Sequence, residues 1–394
     1  MLIVKAVLAV MVLLISARLF SKASGSLAIK HLNIISFAFY NLLVFTWVGA
    51  FLIFMGFREH YLVSKIESEA VVLKTCLIIA YTMIALPTAI IVFNRLLIGK
   101  VTKENLQTYY QKPVVIQRGE SLVLIGCLMI AFIGTLTTMY VFLRAGTVPL
   151  VSALMGGDAA HLRIEISRYF PGNVRVKNIC MLFLPPMFSY LAYVYMRTSV
   201  KHKKNWTIVF AYLFVLSLIA KTYDLSKAPV VYYLFYFYLL KVILNNRHLT
   251  DFLIKVAVAG GCIMFVFYYG MMGYHGKLLT FSTGPLSRTT MQVVGMFLHV
   301  QLFPKYTPYL EGASLPTFIA TLLGSSRSWI RSGRVVMEAF NPAGIAAGTA
   351  GVINSLFQAE AYANWGIPGV ILAPVLVAFC LSAAYAVLLI LIPV

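Results

Sequence analysis

The sequence is short of charge. Of 394 residues only 11% are Asp, Glu, Lys or Arg, where about 25% is usual for a soluble domain, so the chain lacks the polar residues to cover a water-facing surface. Acids are the scarcest: 12 Asp and Glu stand against 32 Lys and Arg, a formal net charge of +20. Cysteine is sparse and dispersed. Cys76, Cys127, Cys180, Cys262 and Cys380 fall mostly in apolar runs with no C-x-x-C pair, which argues against a disulfide framework or a local thiolate metal site. The seven histidines form no H-E-x-x-H or His-rich tract, so no local motif calls for a metal.

What is abundant is apolar: 61% of residues, against roughly 45–50% in an ordinary soluble domain. The composition predicts an all-α, polytopic integral membrane protein, a single membrane domain over residues 1–394 with about nine to ten transmembrane helices. A helix needs about 20 mostly apolar residues to cross a bilayer. Nine runs qualify or nearly so: 2–20, 33–57, 70–94, 121–143, 179–196, 206–220, 228–244, 252–272 and 366–390. The first is long and is followed by no clean A-x-A-like cleavage site, so it reads as a retained span.

Lys and Arg in short loops orient the spans. The loops after the first, third, fifth and seventh spans hold fifteen of them, whereas those after the second and sixth hold only Arg58, Lys65, Lys221 and Lys227, beside Glu59, Glu67, Glu69 and Asp224. The odd loops are therefore expected on the cytoplasmic side. Two long connections, 144–178 and 273–365, then face outward, and stretches such as "MQVVGMFLHVQLF" suggest amphipathic helices or half-spans at the membrane interface. These two segments carry eleven cations, eight of them Arg, which topology does not require. Arg suits bidentate contact with phosphate; the plainer alternative is contact with anionic headgroups.

Particular residues follow. In "KTYDLSKAP", Lys227 stands at the mouth of a span, where it could reach a lipid-linked phosphate or form a solvated hairpin with Lys221 and Asp224. Arg288 opens an apolar helical stretch after Gly284 and Pro285; the helix dipole disfavours a cation there, which points to a bound anion or to snorkelling. Arg163 and Arg168 lie in the first outer segment, and Arg327, Arg331 and Arg334 in "SSRSWIRSGR" would share one face if helical, as a diphosphate clamp or a lipid contact. Glu360 precedes Gly366, where the last long apolar segment begins. A carboxylate at such depth is a functional candidate, suited to accept a proton; a Glu paired with a nearby Arg is the plainer reading. His299 and Glu338 are rival bases, and His161 another.

The ending "EAYANWGIPGVIL", with Glu360 and Tyr362 before a Gly-x-x-Gly that opens a terminal span, resembles the C-terminal region of bacterial O-antigen and oligosaccharide repeat-unit polymerases. "LSKAPVVYYLFYF" is similar to the Ser-Arg turn that opens a span in these polymerases and in the related O-antigen ligases, with Lys227 where Arg is common. Two large outer loops separated by four spans also fit. The ligases usually carry His about eleven residues before the Gly of the terminal span, where this chain has Ser355, which favours polymerase.

The resemblance implies a metal-independent, cofactor-free glycosyltransferase of GT-C-like architecture in the bacterial inner membrane. It would join undecaprenyl-diphosphate-linked repeat units at the periplasmic face, with two large periplasmic loops, 144–178 and 273–365. Both donor and acceptor would be lipid-linked oligosaccharides; a chain-length regulator protein is an admissible partner, nucleic acid is not. On this view Glu360 is the base, with His299 and Glu338 as alternatives, Arg288 stabilises the leaving diphosphate, and Lys227, Tyr362 and the outer-loop arginines bind substrate. A flippase for the same lipids is the competing class, but it should place cations within its spans and show internal repeats, and neither is evident.

Overall fold

The computed structural model describes residues 2–28, 32–99, 119–148, 151, 155, 170–223, 227–244, 287–316, 329–347 and 350–390. Among these every regular element is helical. Seven helices are long and apolar enough to cross a membrane: α1 (Ile3–Ser24), α2 (Ile34–Phe54), α3 (Glu69–Leu97), α4 (Glu120–Ala145), α5 (Val174–Thr198), α6 (Lys203–Thr222) and the membrane part, Phe357–Val387, of a last helix. They match seven of the nine predicted spans. The run at 228–244 is also helical, as α7 (Lys227–Leu244), while 252–272 lies outside the described residues. Three shorter helices precede the last: α8 (Ser287–Leu302), α9 (Ser332–Phe340) and α10 (Pro342–Ala346). The last, α11, runs Phe357–Ile390 with a break at Gly366.

The chain divides into two compact units, Met1–Gln111 with Ala257–Pro393, and Lys112–Val256. In the first, α1, α2, α3, α8, α9 and α11 share a core containing Phe20, Ile35, Ile79, Phe297 and Tyr362. Local sequence sets the helix starts. Asn33 caps α2, accepting from the N–H groups of Ile35 and Ser36 while its own N–H donates to Ser36 Oγ, and Ser68 caps α3 through the Val71 N–H.

Prolines inside the spans create the cross-helix polar contacts. A helical proline lacks the N–H that the carbonyl four residues back would accept, and in hydrocarbon that carbonyl needs another donor. Pro87 in α3 frees the Met83 carbonyl, and Ser16 Oγ of α1 donates to it at 2.7 Å. In the second unit Pro186 of α5 does the same for Leu182, whose carbonyl accepts from Lys221 Nζ at 3.0 Å. Lys221 is thus tied to α5 by its side chain, beyond the solvated hairpin considered from sequence. That unit packs α4, α5 and α6 around Trp206, Leu213 and Cys127, with α7 joined by rings such as Tyr233 and Phe237 against Tyr190.

The first unit also has two distinct ends. At one, Asn94 Nδ2 donates to the Ala23 carbonyl and Tyr385 Oη to the Ser24 carbonyl, gathering the C-terminal ends of α1, α3 and α11. At the other, Lys5 Nζ donates to the Phe54 carbonyl, and Gln301 bonds the backbone of Lys65 and Glu67, gathering the start of α1, the α2–α3 loop and the region from α8 to the start of α11. Arg18, Lys22 and Arg95 fall toward the first end; Arg58, Glu67, Arg288, Lys305 and Glu360 fall toward the second.

Helix α8 departs from the sequence expectation. "MQVVGMFLHVQLF" was expected as an amphipathic interfacial helix, yet every residue from Val293 to Leu302 is buried. Its polar side chains are matched by partners distant in sequence: Gln292 by Asn354, His299 by Ser332 and Gln301 by the backbone of Lys65 and Glu67. Two glycines permit the packing: a Cβ at Gly49 of α2 would sit 2.2 Å from the Thr289 carbonyl oxygen, and one at Gly295 would sit 2.1 Å from that of Asn354.

Candidate functional site

The carboxylate of Glu360 sits on a helix built to be broken. Gly366 has φ 63° and ψ −138°, a region open essentially to glycine alone, and Pro368 follows as an early residue of the next helical segment. The break leaves carbonyls without helical donors. The backbone N–H groups of Leu310 and Glu311 supply them, donating to the carbonyls of Ala363 at 2.9 Å and Asn364 at 3.2 Å. The Asn364 side chain completes the joint, accepting from the Gly312 N–H at 2.8 Å and donating to Ser314 Oγ at 2.6 Å.

Glu360 lies one turn before Asn364 on the inner face of this joint, and is half-buried. Ser314 Oγ donates to its Oε2 at 2.7 Å and Ser355 Oγ to its Oε1 at 2.8 Å. No Arg or Lys forms an ion pair with it among the described residues, so the plainer reading of an Arg-paired helix-surface Glu is not what forms. Ser355 is thus a hydroxyl donor to this carboxylate.

His299 is close enough to Glu360 to feel its charge, but it is enclosed. It has no exposed surface; its Nδ1 is 2.5 Å from the Gly295 carbonyl and its Nε2 is 2.9 Å from Ser332 Oγ. The carbonyl can only accept, so Nδ1 carries the proton and Nε2 accepts from Ser332. Burial pushes the imidazole below its ordinary pKa, opposed in part by the Gly295 hydrogen bond and the Glu360 charge. With both nitrogens engaged and no open face, His299 ties α8 to α9 and has no free nitrogen for a sugar hydroxyl.

A pH prediction follows from that burial. Because the folded-state pKa is depressed, the unfolded chain binds the proton more readily. The contribution of His299 to stability is therefore full above about pH 6.5, the unfolded value, and is lost as pH falls below it. Thermal unfolding of the detergent-solubilised protein should show a midpoint that drops between pH 6.5 and 5, and His299→Asn should flatten that part of the profile. An unchanged slope in the variant would assign the titration to another group.

Arg288 is where the sequence placed it, in the first turn of α8, with an exposed side chain. It borders a cavity of about 310 Å³ whose polar lining is completed by Tyr61, Gln292, Asn341 and Asn354. Among the described lining residues Arg288 carries the only charge. His60 stands near, held below the usual imidazole pKa by burial and then by the Arg288 charge, so it adds no second cation at neutral pH. Asn354 Nδ2 donates to Gln292 Oε1 at 2.9 Å. The next residue, Ser355, donates to Glu360, so two successive residues bridge the cavity wall and the carboxylate.

The other predicted residues separate. Arg331 does not share a helical face with Arg334: it precedes α9 in extended conformation (φ −79°, ψ 119°), with its guanidinium 5.1 Å from the Trp329 ring centroid. The expected three-arginine face is therefore not formed there; the helix begins only at Ser332. Arg334 Nε pairs with Glu338 Oε1 at 2.7 Å across one turn, which leaves Glu338 an exposed ion-pair partner rather than a base beside Glu360. Tyr362 is fully buried, its hydroxyl accepting from Lys74 Nζ at 2.7 Å and donating to the Phe303 carbonyl at 3.2 Å; it anchors α11. Lys227 opens α7 in the second unit. Arg163, Arg168, Arg327 and His161 lie outside the described residues.

Sequence reasoning missed Tyr61, Gln292, Ser314, Asn354 and Asn364, which carry no motif and are joined only by the fold. No group of three or more His, Cys, Asp or Glu among the described residues could hold a metal. The chain matches no family model, no curated protein and no solved structure.

Proposed function

We propose that this protein is a glycosyltransferase of GT-C-like architecture that polymerises undecaprenyl-diphosphate-linked oligosaccharide repeat units at the periplasmic face of the bacterial inner membrane. The observation that carries the reading is the juxtaposition, at one end of a membrane-spanning unit, of a cation-bordered polar cavity and a carboxylate with no ion-pair partner among the described residues, linked through Asn354 and Ser355. Block transfer needs these two groups. Glu360 takes the proton from the hydroxyl of the acceptor's terminal sugar. That oxygen bonds to the anomeric carbon of the donor, the bond from that carbon to the diphosphate oxygen breaks, and undecaprenyl diphosphate leaves with its charge opposed by Arg288. The Gln292, Asn341 and Asn354 amides offer hydrogen bonds to sugar hydroxyls, and Tyr61, 52% exposed, offers a ring face.

Arg288 provides the direct test. A charge-assisted hydrogen bond contributes about 1.5–3 kcal/mol, so Arg288→Ala should lower polymer formation from purified lipid-linked units roughly 10- to 100-fold. Arg288→Lys keeps the charge without the bidentate fork and should fall between. Undiminished ladders in Arg288→Ala at normal protein level would remove Arg288 from the mechanism. If instead lipid-linked units stop reaching the outer face of vesicles in these variants, the protein is a flippase.

A further inference from the structure

A second cavity, of about 200 Å³, lies between α1, α2 and α3 and shares no lining residue with the Arg288 cavity. Leu8, Val12, Trp47, Phe51, Cys76 and Leu77 are among its walls, and it presents almost no polar surface. Leu8 and Leu77 are more than half exposed, so the crevice opens sideways between the helices, toward lipid. Apolar cavities of this size hold hydrocarbon rather than water.

Its upper rim is charged. Phe54 lines the crevice, and Lys5 Nζ both donates to the Phe54 carbonyl at 3.0 Å and lies 4.6 Å over the Phe54 ring centroid. Arg58 pairs with Glu69 at 2.7 Å, and Lys5 stands 4.0 Å from the same carboxylate. Lys5, Arg58 and Glu69 all act electrostatically on the Cys76 thiol within the crevice. Two cations thus share one carboxylate. The Arg58 Nε is buried, with no hydrogen-bond acceptor among the described residues. A buried charged donor left unmatched is costly, and an incoming oxygen would satisfy it.

We propose that this crevice binds one anionic glycerophospholipid, with an acyl chain between α1, α2 and α3 and the phosphodiester on Lys5 and Arg58. The charge count selects this occupant: Lys5 and Arg58 against Glu69 leave one positive charge in excess, matching the net single negative charge of an anionic glycerophospholipid, whereas a choline headgroup cancels the charge of its own phosphodiester. A polyprenyl diphosphate brings more negative charge than the rim can balance and would face the Glu69 carboxylate. The site is therefore separate from the substrate site and holds a resident lipid.

Native mass spectrometry of the full chain, delipidated and then titrated with phosphatidylglycerol or phosphatidylcholine, tests this. One phosphatidylglycerol per chain should be retained at least tenfold more tightly than phosphatidylcholine. Lys5→Gln and Arg58→Gln should each bring the two lipids to parity. Ala80→Trp, which fills the crevice, should abolish retention, whereas Leu143→Trp on the exposed face of α4 should leave it unchanged. Size-exclusion profiles identify any variant that misfolds, and the lipid comparison on the wild-type chain stands without variants. Equal retention of both lipids, retention that survives Ala80→Trp, or displacement of phosphatidylglycerol by equimolar undecaprenyl diphosphate would each overturn the proposal.

Discussion

Glu360→Gln should reduce polymer formation by about 100-fold or more, the range of a positioned general base, while the protein accumulates normally. Gln preserves the shape of the side chain, and the hydroxyls of Ser314 and Ser355 can rotate to meet an amide, since each both donates and accepts. What Gln removes is the ability to take a proton. Glu360→Asp keeps the carboxylate but draws it back by one methylene from both serines, so activity should drop less than in Gln yet remain well below wild type. The serines are positioning residues: Ser314→Ala or Ser355→Ala frees one carboxylate oxygen and should lower the rate without erasing it. Ladder assays with purified lipid-linked units, at matched protein level, read all four variants. Wild-type ladders from Glu360→Gln would leave the carboxylate a structural member of the joint at Gly366, and the base would then have to be sought elsewhere.

Much of the scaffold was legible because crossing a membrane imposes a length and an apolar composition on each span. Seven of the predicted runs are helices of that kind. Gly366 was legible as the start of the last apolar segment, but not as a break, which the backbone alone shows. The burial of α8 was not legible. Gln292, His299 and Gln301 give "MQVVGMFLHVQLF" the look of a helix with one wet face. Each instead finds a partner far away in sequence: Asn354 for Gln292, Ser332 for His299, the Lys65–Glu67 backbone for Gln301.

Periodicity reports whether a residue is polar, not who satisfies it. The same limit applies to Ser16 and Lys221, ordinary in sequence, which are fixed by carbonyls that prolines free on other helices. The arginine cluster failed for a local reason: the helix starts at Ser332, one residue too late to include Arg331, and the i, i+4 neighbour of Arg334 that matters is Glu338. The carboxylate was identifiable as a rare ionisable group near a span, but its isolation from any Arg or Lys among the described residues is a property of the folded joint alone.

Gly366→Ala should be strongly damaging to both stability and activity. Two effects combine. The backbone at φ 63° and ψ −138° excludes a Cβ at a cost of about 1–3 kcal/mol, and that Cβ would lie 2.5 Å from Tyr309 Oη and 2.7 Å from Tyr309 Cζ, an overpacking worth roughly another 1–3 kcal/mol. Against a total stability of about 5–15 kcal/mol, this is enough to depopulate the native joint.

The two effects are separable by experiment. Tyr309→Ala in the same chain removes the steric term but leaves the backbone term, so the double variant should regain part, not all, of the lost thermal midpoint. Activity should respond more steeply than stability. A backbone that cannot turn at residue 366 withdraws the Ala363 and Asn364 carbonyls from Leu310 and Glu311, and with them the segment that carries Ser314 to Glu360. A Gly366→Ala protein with wild-type midpoint and wild-type ladders would show that the break is incidental to both the joint and the carboxylate it holds.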